Sequence, residues 1–281
     1  MRLPVLDNPA NSVSAAITGR DYLSHSQVTT FQMCPLRWWF QYVAQLPREH
    51  LSASLVFGQA IHAAIEAHHQ FLLAGDAEMS TLENLLRAYD DAWALNTRGP
   101  IVYGKNEDAA SLSDKAAGML SAFLDDEVSR PSGEIIAIEE EMRSTIGTGI
   151  PDLLARLDLL YLSDDAVVIR DFKTSRCMWD ENKVAEAAGQ LILYAALARP
   201  ITEALTDDGI PIRLEFVVLT KTKVPRIQTL TVSMDIDALA RTKAVIRQVW
   251  RAMARGYVYP NPSPMHCASC PFTRACRQWT A

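Results

Sequence analysis

Apolar residues recur along this 281-residue chain in two rhythms, and the change between them sets the order of elements. In "FGQAIHAAIEAHHQFLL" the positions Phe57, Ile61, Ile65 and Phe71 fall near helical spacing, which predicts a long helix opening near Gly58. Upstream, Ser24 stands as an N-cap before "HSQVTTFQMCPLRWWFQYV", and Pro35 interrupts that helix just after Cys34. Further helices are predicted across 80–95 and 112–129, divided by the loop "NTRGPIVYGKNED". The rhythm then shortens. "EIIAIEEEMRSTI", "LLARLDLLYL" and the β-branched run "AVVIRDF" read as three strands, and Ser163-Asp164-Asp165 supplies a short hairpin connection between the last two. A helix over 180–198, strands near "IRLEFVVLT" and "RIQTLTVS", and a helix from about Asp235 to Gly256 complete the pattern. The first twenty or so residues, to about position 22, read as a mobile arm. Helices, three strands, a helix, two strands and a helix predict the α/β class.

Composition is that of an ordinary globular chain, with 49% hydrophobic and 21% charged residues and enough length for a large core. No apolar run approaches the eighteen or so residues that cross a bilayer, and the first residues lack the apolar block of a signal peptide. The expectation is a soluble, cytoplasmic protein without a membrane partner. There is no internal repeat and no G-x-x-x-x-G-K-[ST] loop, which excludes a nucleotide-driven motor of the P-loop kind. The net charge of −6 is unevenly spread: residues 241–281 hold seven Lys or Arg and no acid, whereas Asp76–Glu141 hold fifteen acids and five bases. A polyanion would prefer the C-terminal end.

Two strands carry the candidate chemistry. In "VVIRDFKTSR", Asp171 and Lys173 stand two apart, so their side chains project to one face of a strand. A carboxylate that holds a divalent cation beside an ammonium that stabilises transition-state charge suits phosphodiester cleavage. Alone, this D-x-K is better read as an exposed ion pair, since short acid-x-base strings are common in surface strands. Asp158, in "ARLDLLYL" thirteen residues earlier, changes the balance, because antiparallel pairing brings it beside Asp171. An Asp flanked by leucines also needs a partner that repays its burial. Two such carboxylates suit a hard cation such as Mg²⁺ or Mn²⁺. On the predicted last helix, Lys243, Arg247, Arg251 and Arg255 recur at every fourth position as one stripe. That stripe is either a track for a nucleic-acid backbone or a solvated helix face. The aromatic run at Trp38, Trp39, Phe40 and Tyr42 reads mainly as packing. His68 and His69 read as surface residues, and Glu66 as a partner of His62 one helical turn away.

Three cysteines, Cys267, Cys270 and Cys276, lie within "HCASCPFTRAC" and need a fourth ligand for a metal site. His266 or another imidazole would complete a zinc site, whereas Cys34 would complete an all-thiolate site. Cys177 is then the odd, structural thiol. Disulfide pairing fits the inferred compartment poorly.

Taken in order, these motifs resemble the RecB-like branch of the PD-(D/E)xK nucleases, which includes iron–sulfur CRISPR-associated exonucleases and AddB-type recombination nucleases. The resemblance runs from Leu23 onward. It rests on "LSHSQVTTFQMCPLRWWFQY", on "GQAIHAAIE" as G-x-x-x-H, on "ARLD", "RDFKT" and "GQLILYAAL" as the G-x-x-D, D-x-K and Q-x-x-x-Y elements, and on the terminal C-x2-C-x5-C. Ala155 departs from the usual glycine. It implies a restriction-endonuclease-like mixed β-sheet core flanked by helices, with an N-terminal arm over 1–22, one nuclease domain over 23–281 and a helical insertion near 76–130. His62, Asp158, Asp171 and the backbone carbonyl of Phe172 would bind Mg²⁺ or Mn²⁺. Lys173 would be the catalytic lysine, with Gln190 and Tyr194 beside the scissile phosphate. Asp152, in the literal Pro151-Asp152 pair, is the less favoured alternative to Asp158. The resemblance decides for Cys34, so that Cys34, Cys267, Cys270 and Cys276 would hold a [4Fe–4S] cluster in a C-terminal clamp. The implied activity is metal-dependent exonucleolytic cleavage of DNA, acting on single-stranded ends in repair, recombination, phage replication or CRISPR adaptation. It extends to a homo-oligomer or to recombination or CRISPR protein partners. A non-catalytic iron–sulfur DNA-binding module and a zinc-stabilised nuclease are the alternatives.

Overall fold

The computed structural model describes residues 8–205, 210–234 and 236–280. Its elements in chain order are α1 (Pro9–Thr18), β1 (Leu23–Ser24), α2 (His25–Met33), α3 (Pro35–Trp38), β2 (Leu51–Ser52) and α4 (Ala53–Ala74). α5 (Leu82–Asn96), β3 (Ile101–Val102), α6 (Ala109–Asp125), β4 (Glu134–Ser144), β5 (Leu153–Leu162) and β6 (Val167–Ser175) follow. The remainder is α7 (Glu181–Leu205), β7 (Ile212–Thr220), β8 (Ile227–Val232), α8 (Ile236–Ala254), α9 (Pro264–Cys267) and α10 (Thr273–Gln278). The chain divides into two compact units, one of 1–49, 141–155 and 235–281, the other of 50–140 and 156–234. The boundaries fall inside β4 and β5.

Unit 50–140/156–234 holds most of the sheet. β5 and β6 pair antiparallel, with Leu159 opposite Arg170, β6 and β7 run parallel, and β7 and β8 pair antiparallel. The sheet is therefore mixed, with β4 also paired to β5. The parallel pair requires a crossover, which α7 supplies. One face of the strands sends Leu159, Tyr161, Val168, Phe172, Val217 and Leu219 into a core with α4, α5 and α6. Phe57, Ile61 and Ile65 of α4 lie in that core, as their spacing predicts. The helices expected as an insertion contribute Leu85, Tyr89, Leu120 and Phe123 to the same core. α7 packs on β6, β7 and β8, and its buried residues include Leu191, Leu193 and Tyr194. Just before β4, Gly133 has φ +144°, and a Cβ there would lie 1.9 Å from the Leu162 carbonyl oxygen.

His68 and His69 are core residues, not surface ones. His68 is held by the Ser80 hydroxyl (2.5 Å) and the Ser129 carbonyl (2.6 Å), while His69 packs against Phe123 and Phe172. Burial drives the His69 imidazole pKa down to about 3.

Unit 1–49/141–155/235–281 includes the described part of the expected N-terminal arm. Residues 9–18 form α1, capped by the Asn8 side chain and ended by Gly19 in the left-handed conformation. Residues 1–7 lie outside the described residues, as does Asp235, the expected start of the last helix. Asn8 and Asn11 hydrogen-bond the carboxylate of Asp152 at 3.1 and 2.9 Å, and Arg143 adds an ion pair at 3.4 Å. β1 pairs parallel with the start of β5. Ser24 caps α2 by accepting from the Gln27 N–H, and Cys34 ends that helix before Pro35, as predicted. Leu36, Phe40 and Phe272 form a small core joined by Cys34, Trp39, Val258, Cys270 and Trp279. In that core the chain's early helices meet its tail.

Candidate active site

Continuing the β5–β6 register by one residue past Leu159 and Arg170 sets Asp158 opposite Asp171. Adjacent strand residues alternate faces, so Phe172 enters the core while Asp171 and Lys173 project to the side where α7 packs. Asp158 Oδ2 accepts from the Phe172 N–H at 2.8 Å and lies 3.4 Å from Nδ1 of His62 on α4. Asp171 is 1% exposed, so its charge depends on the groups around it. Its Oδ1 accepts from Gln190 Nε2 at 3.1 Å, and the same amide donates to the Tyr194 hydroxyl at 2.6 Å. Gln190 and Tyr194 stand one turn apart on α7, which lets one amide bridge both. Lys173 Nζ lies 2.5 Å from Asp171 Oδ2 as an ion pair, yet Oδ2 has no aligned hydrogen bond among the described residues. The contact is close but poorly directed. Burial raises the Asp171 carboxyl above the ordinary carboxylate range, and Lys173 pulls against that rise. Burial likewise raises the Tyr194 phenol, helped by the Asp171 charge.

Glu139 joins this group, and the sequence reading missed it. Ligand atoms of His62, Glu139 and Asp158 all lie within 4.8 Å of one another. Glu139 takes a left-handed φ of +50° within β4, while its neighbour Ile138 packs on the core. An Arg156–Glu139 ion pair at 2.6 Å holds the carboxylate, and the Arg156 side chain is mostly exposed. Burial, then Asp158 and Glu66, push the Glu139 carboxyl up to about 8 against the pull of Arg156. The only sequence signal was a third acid in "EEEM", where alternation could not say which acid faces inward.

Three buried or half-buried carboxylates with an imidazole, and an Asp171 oxygen lacking an aligned donor, fit a hard divalent cation. Phe172 contributes its amide to the site through Asp158. Asp152 belongs to unit 1–49/141–155/235–281, where its carboxylate is taken up by Asn8, Asn11 and Arg143.

In that same unit, Cys34, Cys267, Cys270 and Cys276 line one pocket with Arg37, Asn261 and His266. Backbone N–H groups of Asn261 and Ser263 donate to the Cys34 and Cys267 sulfurs at 3.5 and 3.4 Å. Burial raises the Cys270 and Cys276 thiols, and the neighbouring cysteines add to the rise. Cys177, read as structural, is exposed. Lys243, Arg247, Arg251 and Arg255 share one side of α8, whose Ile246, Trp250 and Met253 are buried. None of the four has an ion-pair partner among the described residues. Among the described residues, no helix is long and apolar enough to cross a membrane.

A family model described as the PD-(D/E)XK nuclease superfamily matches residues 22–277. A solved structure of a "Putative exonuclease" from Eubacterium rectale is similar over 100% of this chain and 94% of its own, at 14% identity and a TM-score of 0.55. A second, of SSO0001, aligns over 82% of this chain and 87% of its own, at 15% identity and a TM-score of 0.36. No curated protein matches the chain.

Proposed function

Because the chain belongs to the PD-(D/E)XK nuclease superfamily, we propose that it is a metal-dependent deoxyribonuclease that degrades single-stranded DNA from its ends. One observation carries the reading: Glu139, Asp158 and Asp171 crowd around His62 with Lys173 alongside, an excess of acid that a cation would balance. His62, Glu139, Asp158, Asp171 and the Phe172 carbonyl are the proposed ligands. A bound Mg²⁺ or Mn²⁺ would supply Lewis acidity and a more acidic water. The chain's own side chains do the positioning. Gln190 fixes Asp171 Oδ1, Tyr194 fixes the Gln190 amide, and the Lys173 ammonium, paired with Asp171 Oδ2, would meet charge developing on the phosphoryl oxygens. The stripe at Lys243, Arg247, Arg251 and Arg255 is proposed to follow the substrate backbone.

Digestion of end-labelled single and double strands with Mg²⁺ or Mn²⁺ tests this reading. Asp171→Asn and Lys173→Met are expected to lose at least a hundredfold in rate. Equal degradation by the wild type and both variants would refute it, and would favour a non-catalytic DNA-binding role.

We further propose that the four clustered thiols hold a [4Fe–4S] cluster. Support comes from their shared pocket and from the two backbone N–H···S contacts, which suit thiolate ligands. Iron and acid-labile sulfide in anaerobically purified protein are the expected finding. Zinc without sulfide would overturn it.

A further inference from the structure

α8 ends at Ala254, and the backbone turns at Gly256, whose φ is +69°. The Gly256 and Tyr257 N–H groups close the helix by donating to the Met253 and Ala252 carbonyls at 3.0 and 3.1 Å. The basic stripe therefore runs directly into the segment Tyr257-Val258-Tyr259. Val258 packs on the core of Leu36, Phe40 and Phe272, and the Tyr259 carbonyl accepts from the Leu36 N–H at 3.0 Å. The segment is thus pinned at its centre while both tyrosines, each 55% exposed, stand out in solvent. Neither phenol has a hydrogen-bond partner among the described residues. The anchored backbone presents two large rings on either side of a half-buried valine, with both ring faces open to a stacking partner.

We propose that Tyr257 and Tyr259 are a base-stacking platform that receives single-stranded nucleic acid at the end of the α8 stripe. This rests on the reading of the chain as a nuclease with a polynucleotide substrate. Arg251 and Arg255 are exposed, lack ion-pair partners among the described residues, and lie one helical turn apart. They neutralise successive phosphates while the rings take the unpaired bases. Residues 241–281 contain no acid to repel the backbone. Stacking of this kind accepts any base and fails on a duplex, whose bases are already stacked.

Binding of a fluorescent 20-nucleotide oligothymidine to the full chain, measured by anisotropy in EDTA, tests the proposal without any chemistry. The double variant Tyr257→Leu/Tyr259→Leu is expected to bind about thirtyfold more weakly, with its salt slope unchanged. Tyr257→Phe/Tyr259→Phe should retain affinity, because the ring is what stacks. Arg251→Ala/Arg255→Ala should lower the salt slope by about 1.4, from roughly 0.7 per phosphate contact on a single strand. An abasic oligonucleotide should erase the difference between the wild type and the leucine variant. The proposal fails if the leucine variant binds like the wild type, or loses equally on the abasic strand. Its failure is separable from that of the nuclease reading: a protein that cleaves but ignores the tyrosines refutes only the platform. One that binds through them without cleaving refutes only the enzyme.

Discussion

Replacing Arg170 with methionine perturbs the strand that carries Asp171 without touching the site, and the structure gives its cost. Arg170 and Glu215 are register partners on β6 and β7, with side chains only 7% and 9% exposed. The guanidinium donates twice to Glu215 Oε2 at 3.1 and 2.8 Å, once to the Val128 carbonyl at 2.9 Å and once to the Tyr161 hydroxyl at 2.8 Å. It also lies 5.0 Å from the centre of the Tyr161 ring. Methionine restores volume but strands a buried carboxylate and a buried carbonyl. Breaking such a pair costs about 3–5 kcal/mol, and the orphaned carbonyl adds about 1 kcal/mol. A loss of about 4–6 kcal/mol follows, a large share of the roughly 5–15 kcal/mol that holds a domain together.

The assay is urea unfolding at pH 7 followed by circular dichroism. Arg170→Met/Glu215→Leu removes both charges and should recover at least about 2 kcal/mol relative to the single variant. Nuclease rate per folded molecule, measured well below the melting temperature, should stay within about threefold of wild type, since Arg170 and Asp171 face opposite sides of the strand. A single variant within about 1 kcal/mol of wild type, or a double variant less stable than the single, would refute the reasoning.

Glu139→Gln should weaken Mn²⁺ binding at least tenfold by calorimetry while leaving the fold intact; unchanged affinity would remove Glu139 from the proposed ligand set. His69 is held neutral in the fold, its pKa lowered to about 3 from a free value near 6.5, so stability should fall as pH drops from about 6.5 toward 3, by up to about 1.4 kcal/mol per unit. His69→Phe should flatten that acid limb, and a pH profile identical to wild type would contradict the assignment. Gly133→Ala combines a left-handed φ with a Cβ 1.9 Å from a carbonyl oxygen, so it should cost about 3 kcal/mol in denaturant unfolding; a loss below about 1 kcal/mol would show that the backbone relaxes there.

Local patterns carried much of the fold. β5 spans the residues its alternation marks, Ser24 caps α2, and the i, i+2 rule places Asp171 and Lys173 on one face. What could not be read locally depends on distant partners. The signals for α1 were present, with Asn8 as cap, Pro9 at the first turn and Gly19 at the end. Its few large apolar residues gave no reason to expect docking, which depends on Asp152 more than a hundred positions away. His68 reads as polar surface until Ser80 and the Ser129 carbonyl arrive from other segments. Glu139 was hidden for a different reason. Strand alternation assumes regular backbone, and a positive φ at Glu139 breaks that assumption where three acids stand in a row.

Residues 170 and 171 show how buried charge can be sorted into support and chemistry. Both are buried, and both sit on β6 beside residues of opposite sign. Arg170 spends its donors on Glu215, Tyr161 and Val128, so its face of the strand is balanced and has nothing left to offer. On the other face Asp171 meets Asp158 and Glu139 as well as Lys173, and one of its oxygens lacks an aligned donor. A fold selected for stability alone would neutralise this second face as it does the first, because uncompensated burial is costly. The imbalance persists where a cation would remove it, which is why we place the chemistry at Asp171 and the structural support at Arg170.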